Sequence, residues 1–286
     1  MTSQSGSASV FANGKMLAIR DLVVRTAGTR AAVLIRGEQG VGKESLARAI
    51  HAASPRADNQ FIKVNCAMFS ADTLEAELFG HEKGAFSGAD RLKPGKLETA
   101  HQGTLLIEEI GDMTLRIQGR LLQVVDHGVF TRVGGHRSLT TDVRLIVSAS
   151  IDLQSAVRAK RFREDLYSRL SAVEIVVPAL RQRRQEIPAL VAHFVDRFNA
   201  QYGRATGIAP ETLALFDEHG WPGNVDELED AVRRLVIGGS SPTVQRQLFD
   251  AMGAEPLPSR RRLHQPPMVA AQSDGGESVR ARRRLA

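Results

Sequence analysis

The sequence predicts an α/β protein in which helices cover both faces of a parallel sheet, followed by a smaller, purely helical unit. Three observations support this prediction. Short, continuously apolar runs, such as residues 31–36 and 143–149, are typical of buried parallel strands. Stretches whose apolar residues have helical spacing separate these runs, as βαβ units require. From about residue 183 onward only the helical spacing remains, which indicates the second unit.

The strands and helices of the sheet unit follow from local patterns. Strands are predicted at residues 31–36, 61–64, 103–108, 143–149 and 173–177. The first strand ends in a glycine-rich loop, after which a helix is predicted over residues 43–53. A second helix, over roughly 112–127, places its apolar residues on one face. In the helical unit, Asn224 precedes Glu227 by three residues, and this spacing predicts a capping-box variant at a helix start.

The net charge of +6 is concentrated in one segment of the chain. Residues 256–286 carry seven arginines against two acids, so the rest of the chain is close to electrostatic balance. This distribution argues against a broad nucleic-acid-binding surface on the folded part. An inert, solvated extension is one interpretation of the arginine-rich tail. Weak, salt-sensitive contact with DNA or with an acidic partner surface is the other.

We predict four segments: a disordered leader at 1–13, an α/β unit at 14–178, a helical unit at 179–240 and a disordered basic tail at 241–286. The leader and the tail contain too little apolar surface to offset the entropy cost of ordering them. The apolar runs are much shorter than the roughly 18–20 residues that a membrane span requires, and the N-terminus lacks the pattern of a secretory signal. We therefore expect no membrane association and a cytoplasmic location.

A glycine-rich loop with the GxxxxGK pattern lies between the first predicted strand and the helix that follows it. The loop comprises Gly37, Glu38, Gln39, Gly40, Val41, Gly42, Lys43 and Glu44. Glycines let backbone N–H groups turn toward phosphates, and Lys43 is placed to reach the β- and γ-phosphates. This context predicts an ATP site, with an ordinary glycine-rich turn as the alternative. Glu44 stands where the general motif has Ser or Thr to help hold Mg²⁺.

Two acids, Glu108 and Glu109, end the strand predicted at 103–108. The topology of such a sheet brings the carboxyl ends of its strands to one edge, so these acids are expected beside the glycine-rich loop. One acid near a phosphate-bound Mg²⁺ can hold the ion through its waters, while its neighbour orients the attacking water. The alternative is an ordinary acidic strand end.

Two arginines, Arg163 and Arg169, lie six residues apart, so they do not stack on one helix face. An arginine delivered to the γ-phosphate of a neighbouring subunit would stabilise transition-state charge and make hydrolysis depend on oligomerisation. Salt bridges on a helix surface are the alternative.

A loop of small residues displays a single aromatic side chain. It comprises Gly84, Ala85, Phe86, Ser87, Gly88 and Ala89. Flexible glycines beside a lone phenylalanine suggest a moving contact element. A buried phenylalanine that closes a turn is equally compatible with the pattern.

Together these motifs resemble the AAA+ domain of bacterial enhancer-binding proteins, the sigma-54-dependent transcription activators, over roughly residues 14–240. The segment ELFGHEKGAFSGA at 77–89 is similar to the family's signature, and residues 84–89 correspond to its GAFTGA loop, which contacts sigma-54. GEQGVGKE is similar to the family's Walker A motif, Glu44 included, and residues 104–109 lie at the Walker B position. The resemblance implies a P-loop AAA+ fold with a helical lid, and ATP and Mg²⁺ bound between the subunits of a homo-hexameric ring.

The resemblance also implies roles for individual residues. The catalytic residues would be Glu109, Asn65, Arg163 and Arg169, the metal ligand Glu108, and the nucleotide-binding residues Asp226 together with the glycine-rich loop. The two arginines would act across a subunit interface, and Asn65 would couple the catalytic acid to the state of the nucleotide. The Phe86 loops would rise toward sigma-54 when the γ-phosphate site is occupied, and hydrolysis would then remodel the closed promoter complex.

Three positions depart from the family's pattern and keep a second interpretation open. Glu108 replaces the Walker B aspartate, Ser150 follows the strand where sensor I has Asn, and Asp226 replaces the sensor II arginine. The first interpretation is a working ATPase that activates sigma-54 RNA polymerase. The second is a catalytically degenerate ring subunit that binds nucleotide and sigma-54, or an active paralogue. The third, from a different class, is a basic nucleic-acid-binding protein that acts through its tail.

The expected partners follow from the first two interpretations. They are the sigma-54 RNA polymerase holoenzyme and further copies of the chain, or a paralogue, in a ring. We expect no helix-turn-helix domain, so promoter DNA is expected to be contacted weakly or indirectly. We also expect no receiver domain, so control would come from a separate regulatory protein, from the expression level or from hetero-oligomerisation.

Overall fold

The computed structural model describes residues 15–239 and residue 250. The predicted leader at 1–13 and the predicted tail at 241–286, apart from residue 250, lie outside the described residues. Among the residues that are described, every helix is too short or too polar to cross a membrane.

A five-stranded parallel sheet forms the centre of the larger unit. Its strands are β1 (Val33–Arg36), β2 (Phe61–Asn65), β3 (Thr104–Glu108), β6 (Arg144–Ala149) and β7 (Val173–Val176), in the spatial order β2-β3-β6-β1-β7. All pairings are parallel, and each strand coincides with a predicted one to within two residues at either end. A short antiparallel hairpin, β4 (Val129–Thr131) and β5 (Ser138–Thr140), was not predicted.

Helices cover both faces of this sheet. They are α1 (Lys15–Ala27), α2 (Lys43–Ala52), α3 (Ala71–Phe79), α4 (Lys96–Thr99), α5 (Leu115–His127), α6 (Leu153–Arg158) and α7 (Glu164–Leu170). Successive strand residues point to opposite faces, so Val33 and Ile35 pack with α1 and α2, whereas Leu34 packs with α3, α5, α6 and α7. The helix predicted from about residue 112 begins at Leu115, because residues 110–112 form a 3₁₀ turn.

The smaller unit is a helical lid with its own core. It consists of α8 (Ile187–Tyr202), α9 (Pro210–Glu218) and α10 (Asn224–Gly238). The Trp221 ring is completely buried and donates its Nε1–H to the Phe216 carbonyl at 2.7 Å. The α/β sheet unit followed by a helical unit is therefore the fold class that the sequence predicts.

The predicted capping box at the start of α10 is wrong. Gly223, not Asn224, occupies the N-cap position, and Asn224 adopts a left-handed conformation with φ of 57°. The Glu227 carboxylate accepts the Gly223 N–H at 2.7 Å, one residue before the N–H of the expected box, and the Asn224 N–H donates to the Trp221 carbonyl. Asn tolerates the left-handed region, and its amide is used instead to link the lid to the glycine-rich loop.

Candidate nucleotide site

Three segments meet at the carboxyl edge of the parallel sheet. The glycine-rich loop follows β1, the acids Glu108 and Glu109 end β3, and Ser150 follows β6. Because β6 lies between β1 and β3, the residue after β6 falls between the loop and the acids. The structure therefore brings Lys43 and Glu109 together, as the topology argument predicts.

Lys43 is at the centre of this arrangement and is almost completely buried. Its Nζ donates to the carbonyl oxygens of Gly37 at 2.9 Å and Glu38 at 3.1 Å, and to Ser150 Oγ at 2.5 Å. Gly40 and Gly42 have φ of 76° and 94°, in the region that favours glycine, so the chain turns tightly into the N-terminus of α2. A lysine and a helix N-terminus at one point form a site for an anion such as phosphate.

Glu109 is held in place by its neighbours. Its two carboxylate oxygens accept the Ser150 hydroxyl at 2.7 Å and the Ser150 N–H at 3.0 Å, and one of them lies 3.3 Å from Lys43 Nζ. Glu109 adopts a left-handed conformation with φ of 50°, because the strand ends at Glu108 and the chain turns. This turn is what lets Glu109 reach the edge of the sheet beside Glu108.

Ser150 is a member of this site that was not among the predicted catalytic and binding residues. From the sequence, Ser150 was noted only because it replaces the sensor I asparagine of the family. Its hydroxyl accepts from Lys43 and donates to Glu109, so one side chain joins the two central groups. The available signal was its position directly after a strand that had to lie near the loop.

Glu108 and Glu44 differ in their electrostatic surroundings. Burial, and then the nearby Glu44 charge, raise the pKa of Glu108, which makes no ion pair among the described residues. Burial also acts on Glu44, but hydrogen bonds from Lys63 at 2.8 Å and Arg48 at 2.7 Å hold its pKa below the usual value. Glu108 is thus a half-buried carboxylate that has no ion-pair partner among the described residues, and carboxylate oxygens are among the ligands that Mg²⁺ accepts.

The outer side of the glycine-rich loop is tied to the lid. Arg181 makes two hydrogen bonds to the Glu38 carboxylate, at 2.7 and 2.5 Å. This pair, with a further hydrogen bond from Asn224, lowers the pKa of Glu38 to about 2. Arg183, which is buried, donates to the Val41 carbonyl at 2.8 Å. No sequence pattern predicted that either arginine belongs to the site.

Asn224 and the start of α10 complete this attachment. The Asn224 amide donates to the Gln39 carbonyl at 2.9 Å and accepts from the Leu180 N–H at 2.8 Å. The N–H groups of Val225 and Asp226 both point to the Gly40 carbonyl, at 2.9 and 3.3 Å. Asp226 is therefore beside the loop, where the resemblance implies a nucleotide contact.

The remaining candidate catalytic residues do not touch Lys43 or Glu109. Asn65 lies opposite Glu108 in the β2–β3 register, and its side-chain oxygen accepts the Ala67 N–H. Arg163 pairs with Asp165 at 2.7 Å, and Arg169 pairs with Asp126 at 2.8 Å. Both arginine side chains are largely exposed, at the N-cap and in the last turn of α7.

The loop from Gly84 to Ala89 projects from the segment between α3 and α4. Gly84 and Gly88 have φ of 81° and 97°, and the Gly84 N–H donates to the Ala89 carbonyl at 2.8 Å. Phe86 is 47% exposed and contacts the His81 ring edge-on, with 4.9 Å between ring centroids. Phe86 therefore does not close a turn from inside the core.

Two family models match the two units described above. Residues 10–176 match the sigma-54 interaction domain, and residues 181–264 match the AAA+ ATPase lid domain. The chain belongs to the sigma-54 interaction domain family. The family resemblance and the AAA+ fold stated from the sequence are thereby confirmed.

Relatives of this sigma-54 interaction domain include regulatory proteins. The Nif-specific regulatory protein of Herbaspirillum seropedicae is 49% identical over 213 residues, which are 74% of this chain and 39% of that protein. The transcriptional regulatory protein ZraR of Escherichia coli K12 is 41% identical over 286 residues, 95% of this chain and 65% of ZraR. The chain thus spans less than two thirds of the length of both relatives.

A solved structure with the same fold is NtrX from Brucella abortus in complex with ADP. It is 38% identical, with a TM-score of 0.76, and the match covers 84% of this chain and 55% of the NtrX chain. NtrX has also been solved in complex with ATP, and that structure is 40% identical with a TM-score of 0.71.

Proposed function

We propose that this sigma-54 interaction domain is an ATPase that activates transcription by sigma-54 RNA polymerase. It hydrolyses ATP at the interfaces of a ring and remodels the closed promoter complex through the loop at 84–89. The observation that carries the proposal is the contact of Lys43 and Glu109 through Ser150 at the mouth of a glycine-rich loop. The ADP and ATP complexes of the relative NtrX support nucleotide binding at this place.

The proposed chemistry divides between the two central groups. Lys43 binds the β- and γ-phosphates, together with the N–H groups of the loop. Glu109 orients the attacking water and polarises it for in-line displacement, while the Ser150 hydroxyl and N–H hold its carboxylate in position. Glu108 would hold Mg²⁺, an ion that neutralises phosphate charge when bound.

The ring is proposed because Arg163 and Arg169 lie away from the nucleotide site of the same chain. Arg163 and Arg169 are exposed on and beside α7 and pair with acids outside the glycine-rich loop. An arginine supplied by a neighbouring copy would stabilise the charge that develops on the γ-phosphate. Hydrolysis then requires assembly, whether the ring contains one kind of subunit or includes a paralogue.

The first experiment is phosphate release from Mg-ATP at increasing protein concentration. The wild type is compared with Lys43→Ala, which removes phosphate binding, and with Arg163→Ala, which leaves Lys43 and Glu109 in place. We expect a specific rate that rises with concentration in the wild type and stays at background in both variants. A rate independent of concentration would contradict the shared site, and no rate above Lys43→Ala would exclude a working ATPase.

The contact with sigma-54 has its own test. Phe86→Ala is expected to lose nucleotide-dependent binding of purified sigma-54 while phosphate release stays near the wild-type rate, because Phe86 lies away from Lys43. Phe69→Ala changes a comparably exposed phenylalanine at another place and serves as the control. Unchanged sigma-54 binding by Phe86→Ala would remove the loop from the proposal.

A second candidate function is favoured by the acid beside the glycine-rich loop. Asp226, together with Glu108 and Ser150, supports a catalytically degenerate ring subunit that binds nucleotide and acts through sigma-54 or an active paralogue. If this is correct, the wild type shows no phosphate release, and Asp226→Arg with Glu108→Asp restores it. A separate regulatory protein and weak contact with promoter DNA are compatible with either candidate.

A further inference from the structure

Asp226 is anchored close to the glycine-rich loop by the main chain. Its own N–H and that of Val225 point to the Gly40 carbonyl, at 3.3 and 2.9 Å. A Cβ atom added to Gly40 would lie 3.4 Å from the Asp226 Cβ. Asp226 therefore stays beside the loop unless the whole start of α10 moves.

Among the described residues, the Asp226 carboxylate has no ion-pair partner. Within residues 15–239, it makes no ion pair and no side-chain hydrogen bond, whereas the Glu38 and Glu44 carboxylates of the loop are both paired with cations. Partial desolvation, and then the charges of Glu229 and Asp230, raise the pKa of Asp226, while Lys43 acts in the opposite direction. The phosphate-binding lysine is thus within electrostatic reach of a solvent-exposed acid that has no ion-pair partner in this part of the chain.

The positive charge of Lys43 is already partly compensated by nearby carboxylates. Its Nζ lies 3.3 Å from a Glu109 oxygen, and Glu108 lies on the same edge of the sheet. A terminal phosphate bound here meets one lysine and several carboxylates. Each additional phosphate charge therefore adds repulsion from Asp226, and this repulsion is larger for a triphosphate than for a diphosphate.

We infer that Asp226 is a specificity-determining residue of this site and makes it favour nucleoside diphosphates over triphosphates. The inference rests on the proposed nucleotide site and adds its preferred ligand. In water, the interaction of two unit charges about 4 Å apart changes an equilibrium by roughly fivefold. Removing the exposed Asp226 charge is therefore expected to strengthen triphosphate binding by up to about fivefold and diphosphate binding by about twofold or less.

The test measures the affinities of the full chain for ADP and for the slowly hydrolysed analogue ATPγS, both with Mg²⁺, by competition with a fluorescent ADP. Asp226→Asn removes the charge and keeps the shape, and Asp226→Ser removes it with a shorter side chain. Asp230→Asn is the matched control, because Asp230 is on the same helix and pairs with Arg233 at 2.7 Å. Lys43→Ala shows how much of the affinity depends on the phosphate site.

The expected result is an ATPγS-to-ADP affinity ratio that rises about twofold or more in both Asp226 variants and stays constant in Asp230→Asn. A ratio that is unchanged in both Asp226 variants would overturn the inference, even if both nucleotides bind. Nucleotide binding that Lys43→Ala leaves intact would instead overturn the proposed site. The two failures are therefore distinguishable.

Discussion

The loop at 37–42 and the loop at 84–89 are both glycine-rich turns with positive φ angles, but they differ in what surrounds them. At Gly40 an added Cβ would lie 2.2 Å from the Gly223 carbonyl oxygen, because the lid packs directly against the loop. At Gly84 and Gly88, as at Gly42, an added Cβ would meet nothing within 4 Å. The first loop is thus enclosed at Gly40, where the lid contacts it, whereas the second loop is open at both of these glycines.

This difference separates two uses of glycine. At Gly40, glycine permits both the backbone conformation and the close approach of the lid. At Gly84 and Gly88, glycine permits only the conformation, and the space beside these two residues is open, whereas Ala85 between them packs against Gly134. Fixed phosphate-binding groups and a movable contact element are what the proposed function requires of the two loops.

The largest difference in the free energy of unfolding is expected between the alanine variants of Gly40 and Gly84. Gly40→Ala combines a φ of 76° with a clash against backbone, so we expect it to lower the free energy of unfolding by about 3 kcal/mol or more. Gly84→Ala has a similar φ but open space, and we expect a cost of about 1 kcal/mol. Urea denaturation of both variants measures the two costs. Equal costs would show that the lid does not constrain the loop.

The sequence predicted the arrangement that follows from sheet topology. The loop after β1 and the acids after β3 meet because parallel strands place their carboxyl ends at one edge, so Lys43 and Glu109 were expected together. The same argument places Ser150 between them. The role of Ser150 was nevertheless not predictable, because a lone serine carries no recognisable chemical pattern.

The contacts between the lid and the glycine-rich loop could not be predicted in the same way. Asn224 and Gln39 are far apart in the sequence, and their contact depends on how the helical lid docks. The local pattern of Asn224 favoured a helix cap, which is a common use of asparagine. Tertiary contacts instead placed it in the left-handed region and directed its amide to the loop.

The second prediction concerns this amide. Asn224→Ala leaves the Leu180 N–H and the Gln39 carbonyl without their partner in a buried place, so we expect a loss of about 2–3 kcal/mol. Asn59→Ala removes an exposed hydrogen bond to the Gln102 carbonyl and should cost less than about 1 kcal/mol. Denaturant titration of both variants gives the comparison. A cost for Asn224→Ala no larger than that of Asn59→Ala would mean that the lid is held without this link.

The third prediction concerns the open loop. Phe86→Ala removes a half-exposed ring with one aromatic contact, so its cost should be about 1 kcal/mol or less. Phe79→Ala, at the end of α3, removes a completely buried ring under Arg120 and should cost about 3–5 kcal/mol. Thermal unfolding monitored by circular dichroism distinguishes the two. A large cost for Phe86→Ala would show that the loop is part of the core packing.

The smallest effect on stability is expected at Glu38, on the outer side of the glycine-rich loop, and this effect depends on pH. Hydrogen bonds from Arg181, then from Asn224, lower the pKa of Glu38 from 4.5 to about 2. A carboxyl group whose pKa is lowered by folding contributes stability that is fully present above its unfolded value. This contribution is lost as the pH falls from about 4.5 toward 2. The difference in melting temperature between the wild type and Glu38→Gln should therefore be constant near neutral pH and shrink below about pH 4.5.

The control for this pH effect is Glu164→Gln, which changes an acid that makes no ion pair among the described residues. Its difference from the wild type should not follow the same pH profile. If the Glu38→Gln difference is already absent at neutral pH, the exposed pair with Arg181 does not stabilise the fold, as is common for surface ion pairs. The attachment of the lid to the glycine-rich loop would then depend on the buried contacts of Asn224 and Arg183 and on the main-chain hydrogen bonds from Val225 and Asp226 to Gly40.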